Sequence, residues 1–277
     1  MITNPLISVV MAFYNAELYI DESIQSILNQ SFRNFELILI NDGSTDKSIQ
    51  LVKNYNDERI RLINSTHDYI ASLNLGMDYS RGKYIARMDA DDIMHPDRLF
   101  VQYCVMERMA EIDIVSSWCT LFNDKTKKTS IFKKSSGRIN DPLVSLLDCN
   151  LFTHSSMILR TDFVRKAHLK YCNYPYAEDY KICLEAAKMG AKFYIEPQSL
   201  LYYRCHEKQV SVEKRIEQEK TSNLIKEEIM SYLLPKIPNE LQNLYKCLCN
   251  IESMKLSMPA YKYEQMYKLL KYNCIKL

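Results

Sequence analysis

Apolar and polar positions in the first third of the chain switch between two periods. Residues 6–13 (LISVVMAF) form an unbroken apolar run of strand length, which predicts a strand buried on both faces. Residues 21–30 carry Ile24, Ile27 and Leu28 at helical spacing, and Asp21 stands where an N-cap belongs. Residues 35–42 predict a second strand, and the following STDKSIQLVKNY opens on capping residues and continues as a helix. A third strand over 59–63, a third helix over 70–80 and a fourth strand over 83–88 complete the series. Strand and helix alternating at this pitch require right-handed crossovers and a parallel sheet. Ligands of such sheets bind beyond the carboxyl ends of the strands. That rule gathers residues 13–17, 41–45 and 89–92 onto one rim.

The pattern then loosens. Residues 96–109 predict a helix and 113–122 a strand, while the basic, Ser/Thr-rich stretch 124–138 predicts a loop or an exposed hairpin. Residues 152–159 predict a strand. Residues 177–195 predict a helix, a stop at Gly190 and a strand, and 199–206 one strand more. From Glu213 onward the pattern is helical and Lys-rich, broken at Pro235, Pro238 and Pro259. Residues 254–277 hold five Lys against one Glu, with Tyr263, Met266, Leu270 and Cys274 on one helical face, so a peripheral contact with an anionic membrane is one reading of the C-terminal helices. The other is a helix packed on the rest of the chain.

Composition narrows the function. With 277 residues, 47% of them hydrophobic, a full core is available. A net charge of +2 excludes nucleic acid binding by electrostatics alone. Five Gly, with no GxGxxG and no GxxxxGK[ST], remove the dinucleotide and P-loop readings. Nine Cys without paired metal spacing, and no leader-like N-terminus, predict reduced, buried thiols in a cytoplasmic protein. No apolar run approaches the ~20 residues of a membrane span.

The sharpest chemical signal is residues 84–99, YIARMDADDIMHPDRL. Asp89, Asp91 and Asp92 crowd the exit of a strand, where like charges repel. A divalent cation, the nearby Arg87 and Arg98, or solvent would each relieve them. An EF-hand counted from Asp89 fails, with Met94 at the Gly position and Phe100 at the Glu position. An aspartyl-phosphate phosphatase fits poorly, since its Asp pair follows the first strand.

Taken together, residues 7–48 and the GKYIARMDADDIMHPDRL stretch closely resemble the family-two, inverting, GT-A-fold glycosyltransferases of bacteria, over about residues 5–211. The resemblance implies an α/β fold: a Rossmann-like, mostly parallel sheet flanked by helices, with a helical C-terminal extension. It divides the chain into a catalytic domain over 1–212 (nucleotide-binding half 1–95, acceptor half 96–212) and an extension over 213–277. It implies a nucleotide-sugar donor, most commonly of UDP, a glycan or lipid-linked glycan acceptor, and Mn²⁺ or Mg²⁺ as cofactor. Residue by residue, Ala12, Phe13, Tyr14 and Glu17 fall in the loop that cups the base, Asp42 of NDGS meets its edge, and Arg87 and Asp89 lie on the donor. Asp89, Asp91 and His206 (in YRCHEKQVS) become metal ligands, and Asp179 the catalytic base with Glu178 beside it. Asp179 and Asp42 have plainer readings, a helix-start acid and turn chemistry, and His154 of THSS is read as a satisfied buried imidazole, with the lining of the acceptor cleft as its other reading. A non-catalytic nucleotide-sugar-binding relative is the alternative function.

Overall fold

The computed structural model describes residues 4–207 and 209–233. The basic amphipathic stretch and the cysteines at 247 and 249 lie outside them. The first half follows the predicted alternation: β1 (Ile7–Phe13), α1 (Ile20–Leu28), β2 (Phe35–Asn41), α2 (Ser48–Lys53), β3 (Ile60–Asn64), α3 (Tyr69–Tyr79) and β4 (Tyr84–Arg87). Then come β5 (Ile93–Met94), α4 (Arg98–Arg108), β6 (Ile114–Phe122), β7 (Thr129–Phe132), β8 (Gly137–Ile139) and α5 (Pro142–Asp148). The chain continues through β9 (Ile158–Arg160), α6 (Thr161–Lys166), α7 (Glu178–Lys188), β10 (Phe193–Arg204), α8 (Val210–Glu213) and α9 (Arg215–Leu233).

The strands form one sheet in the order β3-β2-β1-β4-β9-β6-β10-β5, with β7 on β6 and β8 on β10. Strands β3, β2, β1 and β4 are parallel. The parallel run is interrupted there, because β9 runs antiparallel to both β4 and β6, and it resumes where β10 pairs parallel with β6. The chain leaves β1 toward β2 on one side and returns to its other side as β4. The exits of β1 and β4 therefore flank a topological switch point, where open sheets bind ligands.

All seven residues of β1 and of β2 are buried, as strands covered on both faces must be. One face packs Val10, Ala12, Ile38 and Ile40 against Leu73 and Met77 of α3. The other packs Val9, Met11, Leu37 and Leu39 against Ile20, Ile24 and Ile27 of α1. Ile225, Ile229, Met230 and Leu233 of α9 join the first of these cores, beside Ile182 and Phe193.

Four local expectations are corrected. Asp21 is not the N-cap of α1; Tyr19 holds that position, and Asp21 accepts a hydrogen bond from the Tyr55 hydroxyl (2.6 Å) inside the first turn. Residues 152–159 are not one strand. A 3-10 turn over His154–Ser156 interrupts them, because the Ser156 hydroxyl donates to the Thr153 carbonyl (2.9 Å) in place of a ladder bond. The two strands expected over 191–206 are a single strand, β10, which absorbs Pro197 through a register shift between Glu196 and Ser199. The described thiols are free as expected, but Cys104 is exposed and Cys149, Cys172 and Cys205 are half-buried. The stretch 124–138 resolves as a hairpin, with β7 antiparallel to β6.

Candidate functional site

The exits of β1, β2 and β4 open into a groove of about 770 Å³ lined by Ala12, Phe13, Tyr14, Asp42, Asp89 and Asp91, among others. Asp42 follows β2 directly and is held by α3: its Oδ1 accepts from the Asp68 amide (2.8 Å) and the Ser72 hydroxyl (2.7 Å). His67, which the sequence reading did not single out, lies across the groove edge with its Nδ1 2.9 Å from the Asp42 carbonyl oxygen. Its ring lies against that of Tyr14, 4.3 Å between centroids and tilted by 38°. The groove thus has an aromatic pad beside a carboxylate, a pairing suited to a planar base with N–H groups at its edge.

Two expected donor residues lie elsewhere. Glu17 does not line the groove: its carboxylate accepts from the Lys47 amide (3.0 Å), and its own amide donates to Asp46 (3.0 Å). Its work is to tie the loop after β1 to the loop after β2. Arg87 lies behind the groove wall, its side chain 3% exposed, donating to Asp89 (2.5 Å) and to the Tyr69 hydroxyl (2.9 Å).

The three crowded carboxylates divide into three environments. Asp89 has both oxygens engaged, one by Arg87 and the other by the Ser155 hydroxyl (2.7 Å). Burial would push its carboxyl up, but the Arg87 charge and the Ser155 hydrogen bond hold it below the ordinary value. Asp92 turns inward, accepts from the Arg204 amide (2.9 Å), and keeps its other oxygen buried without a partner among the described residues. Burial first, and then the charges of Asp91 and Asp89, raise its carboxyl well above the usual range, which favours the neutral acid. Arg98 acts on the cluster through charge alone, on Asp92 first and then Asp89; its hydrogen bonds go to Gln102 and to the Arg87 and Met157 carbonyls. Asp91 also lines the groove, its Oδ2 3.1 Å from His206 Nε2.

That last pair fits a divalent cation. Two ligands on adjacent corners of an octahedron with bonds of ~2.1 Å stand about 3.0 Å apart. Among the described residues no third His, Cys, Asp or Glu closes the shell. A pair of this kind would suit Mg²⁺ or Mn²⁺, which use one or two protein ligands and complete the shell with water and substrate phosphate. The pair is built from below by Arg204, whose Nε donates to the Asp91 carbonyl (2.7 Å). Its guanidinium also pairs with Glu22 and Asp124 and packs 4.7 Å from the rings of Tyr19 and Phe122.

The acidic start of α7 forms the opposite wall. Tyr176, at φ +62°, turns the chain sharply into the helix, and Glu178 and Asp179 occupy its first turn. Asp179 accepts from Asn150 Nδ2 (2.8 Å) and from the Tyr180 amide (2.7 Å). Burial, and then the neighbouring Asp179 charge, push Glu178 up to about 7. Burial likewise raises Asp179 to about 6, against the hydrogen bond from the Tyr180 amide. A second groove of about 1050 Å³ adjoins the first, and Asp89, His154, Asp179 and His206 line both. His154 is a satisfied buried imidazole: its Nε2 meets the Tyr171 hydroxyl (2.8 Å), and burial with the Arg87 charge lowers it to about 3. That favours the neutral imidazole at ordinary pH.

Sequence reasoning missed His67, Asn150, Ser155 and Arg204. Only Arg204 had a signal, inside the quoted YRCHEKQVS; the others hold the site through loops whose course the pattern does not give.

Comparison with known proteins places the chain in a family and its fold among solved relatives. The family model described as "Glycosyl transferase family 2" matches residues 8–165. An uncharacterized glycosyltransferase of Haemophilus influenzae is 34% identical over 289 aligned positions, covering 99% of this chain and 89% of its own. The O-antigen biosynthesis glycosyltransferase WbnJ of Escherichia coli is 31% identical over 73% of this chain and 81% of its own. Among solved structures, S. aureus TarS in complex with UDP-GlcNAc superposes with a TM-score of 0.67 at 17% identity, covering 94% of this chain and 78% of that one. The mannosyltransferase PcManGT of Pyrobaculum calidifontis, in complex with GDP-Man and Mn²⁺, gives 0.62 at 16% identity, covering 90% and 70%.

Proposed function

The chain belongs to glycosyl transferase family 2, and on that premise we propose that it moves a sugar from a nucleoside-diphosphate sugar, UDP being the favoured nucleotide, to an acceptor hydroxyl with inversion at the anomeric carbon. The observation that carries this reading is the position of Asp179, on the wall shared by two adjoining grooves. The first groove takes the donor, with the base on the Tyr14–His67 pad and Asp42 at its edge. The diphosphate then reaches Asp91 and His206, the sugar reaches the α7 start, and the second groove brings the acceptor.

In this arrangement the acceptor oxygen attacks the anomeric carbon from the face opposite the diphosphate. Its proton passes to Asp179, and the electron pair of the breaking C–O bond leaves with the diphosphate. A base raised to about 6 is mostly ionised at neutral pH yet more basic than a free carboxylate, which suits general-base work. Glu178 beside it, raised to about 7, carries only part of a charge at neutral pH, so the two carboxyls coexist. A divalent cation held by Asp91 and His206 would neutralise charge developing on the diphosphate. Ser155 and Arg87 hold Asp89 so that it meets the donor sugar or ribose in one orientation. One base suffices, in contrast to the paired carboxylates of hydrolases. The likeness to WbnJ supports an acceptor in surface polysaccharide or glycolipid synthesis. The catalytic unit then reaches at least to α9, whose Gln218, Ser222 and Lys226 line the second groove.

The test is a thermal-shift panel of nucleoside diphosphates and their sugars, each with Mn²⁺, Mg²⁺ or EDTA. A metal-dependent rise with one nucleotide is expected, and Asp179→Asn keeps that rise while losing transfer by about 10²–10⁴-fold. No rise with any nucleotide, or normal transfer by the variant, overturns the reading.

A further inference from the structure

The hairpin beside the second groove has a composition that the transfer chemistry does not use. Residues 124–138 hold Lys125, Lys127, Lys128, Lys133, Lys134 and Arg138 against a single acid, Asp124, and that acid is consumed by Arg204. All of residues 124–134 are exposed. On β7, Ile131 is 62% exposed and Phe132 37% exposed, on opposite faces of an edge strand that pairs with β6. Phe132 and Lys134 line the mouth of the second groove, and Val212 of α8, 57% exposed, lines it as well. The groove therefore opens between apolar side chains, one bank of which is densely cationic.

We propose that this hairpin docks on an anionic lipid bilayer, seating the mouth of the second groove at the membrane surface. The two components point to the same partner. Lysines beside exposed aliphatic and aromatic side chains gain from anionic headgroups and the acyl boundary together. A soluble polyanion would satisfy the lysines and leave Ile131 in water. An edge strand studded with lysine is also poorly suited to pairing with another strand. The surface differs from the C-terminal stretch that the sequence singles out, and it is continuous with the groove that would receive a lipid-linked acceptor. The proposal rests on the second groove being the acceptor's.

Lys127, Lys128 and Ile131 lie outside both grooves, so their substitution separates docking from catalysis. The experiment is co-sedimentation of the full chain with phosphatidylcholine vesicles, with or without about a third phosphatidylglycerol, in the absence of nucleotide. Wild-type protein is expected on the anionic vesicles alone, released by high salt. K127E/K128E/I131S is expected to bind at least about tenfold more weakly while melting at the wild-type temperature. The single tryptophan, Trp118, supplies a second readout. Its ring lies 5.2 Å beneath the Lys133 ammonium and its indole N–H donates to the Ser135 carbonyl (2.7 Å), so its emission should change when anionic vesicles are added. Equal vesicle binding by the variant and wild type overturns the proposal, as does wild-type binding to a soluble polyanion but not to vesicles. Because no sugar donor is present, either failure leaves the transfer reading standing.

Discussion

Asp179 must be ionised to accept a proton, yet burial resists its charge. The pH dependence follows from that opposition. Transfer under saturating substrate is expected to rise with pH through about 6 to 7, the range over which Asp179 and Glu178 ionise as a pair. A rate flat from pH 5 to 8 would remove Asp179 as base. Stability runs the other way. The folded pKa of Glu178 is raised from 4.5 to about 7, so its contribution is fully present below 4.5 and is lost as pH rises toward 7. Glu178→Gln is therefore expected to raise the urea midpoint at pH 8 relative to wild type and to have little effect at pH 4.5. A midpoint gain independent of pH would mean that burial is not what raises this group. The same reasoning explains why three aspartates can share one turn. Arg87 pairs with Asp89, burial favours the neutral form of Asp92, and Asp91 stands beside His206 at the groove.

At the scale of elements, the acidic turn is only as well placed as β4 that delivers it. Gly82 precedes β4 at a point where a β-carbon would stand 2.6 Å from the Ser8 nitrogen and 2.8 Å from the Ile7 carbonyl carbon. These are backbone atoms of β1 and cannot swing aside. Gly82→Ala is expected to cost more than about 3 kcal/mol in equilibrium unfolding, the overpacking range and beyond. Helix α9 is fixed to α7 in a different way. Glu228 accepts from Lys181 (2.6 Å), also pairs with Lys188, and accepts from the Tyr174 hydroxyl (3.0 Å). These hydrogen bonds overcome burial and lower its carboxyl to about 2. Glu228→Gln leaves the nearly buried Lys181 ammonium with Glu185 as its remaining carboxylate, and a loss of about 2 kcal/mol is expected at pH 7. Because the contribution is present above 4.5 and lost as pH falls toward 2, the difference between variant and wild type should shrink in acid.

For the whole molecule, the sequence resolved the half built from regular periods. Strands β1 to β4 and the helices between them were legible because each buries an apolar face of matching period, and the rule of strand exits then placed Asp42 and the aspartate turn on one rim. The second half was less legible for a physical reason. Its turns are fixed by side-chain hydrogen bonds, such as Ser156 to the Thr153 carbonyl, and its strands bend around Pro197. Neither leaves a periodic trace. Glu17 and Arg87 brace the backbone and Asp89 here, and a charged residue beside a site looks the same in sequence whether it faces a ligand or a neighbouring loop. His67 escaped because it reaches the rim from a loop, at φ +57°.

The wall shared by the two grooves has a consequence for inhibition. A single molecule that joins a nucleoside diphosphate to an acceptor mimic, with a linker crossing Asp179, would make its second contact at high effective concentration. Its affinity would then exceed that of either half by orders of magnitude, provided the linker spans the wall without strain. Two separate compounds filling the same two grooves would lack that advantage, since each would bear its own entropic cost of association.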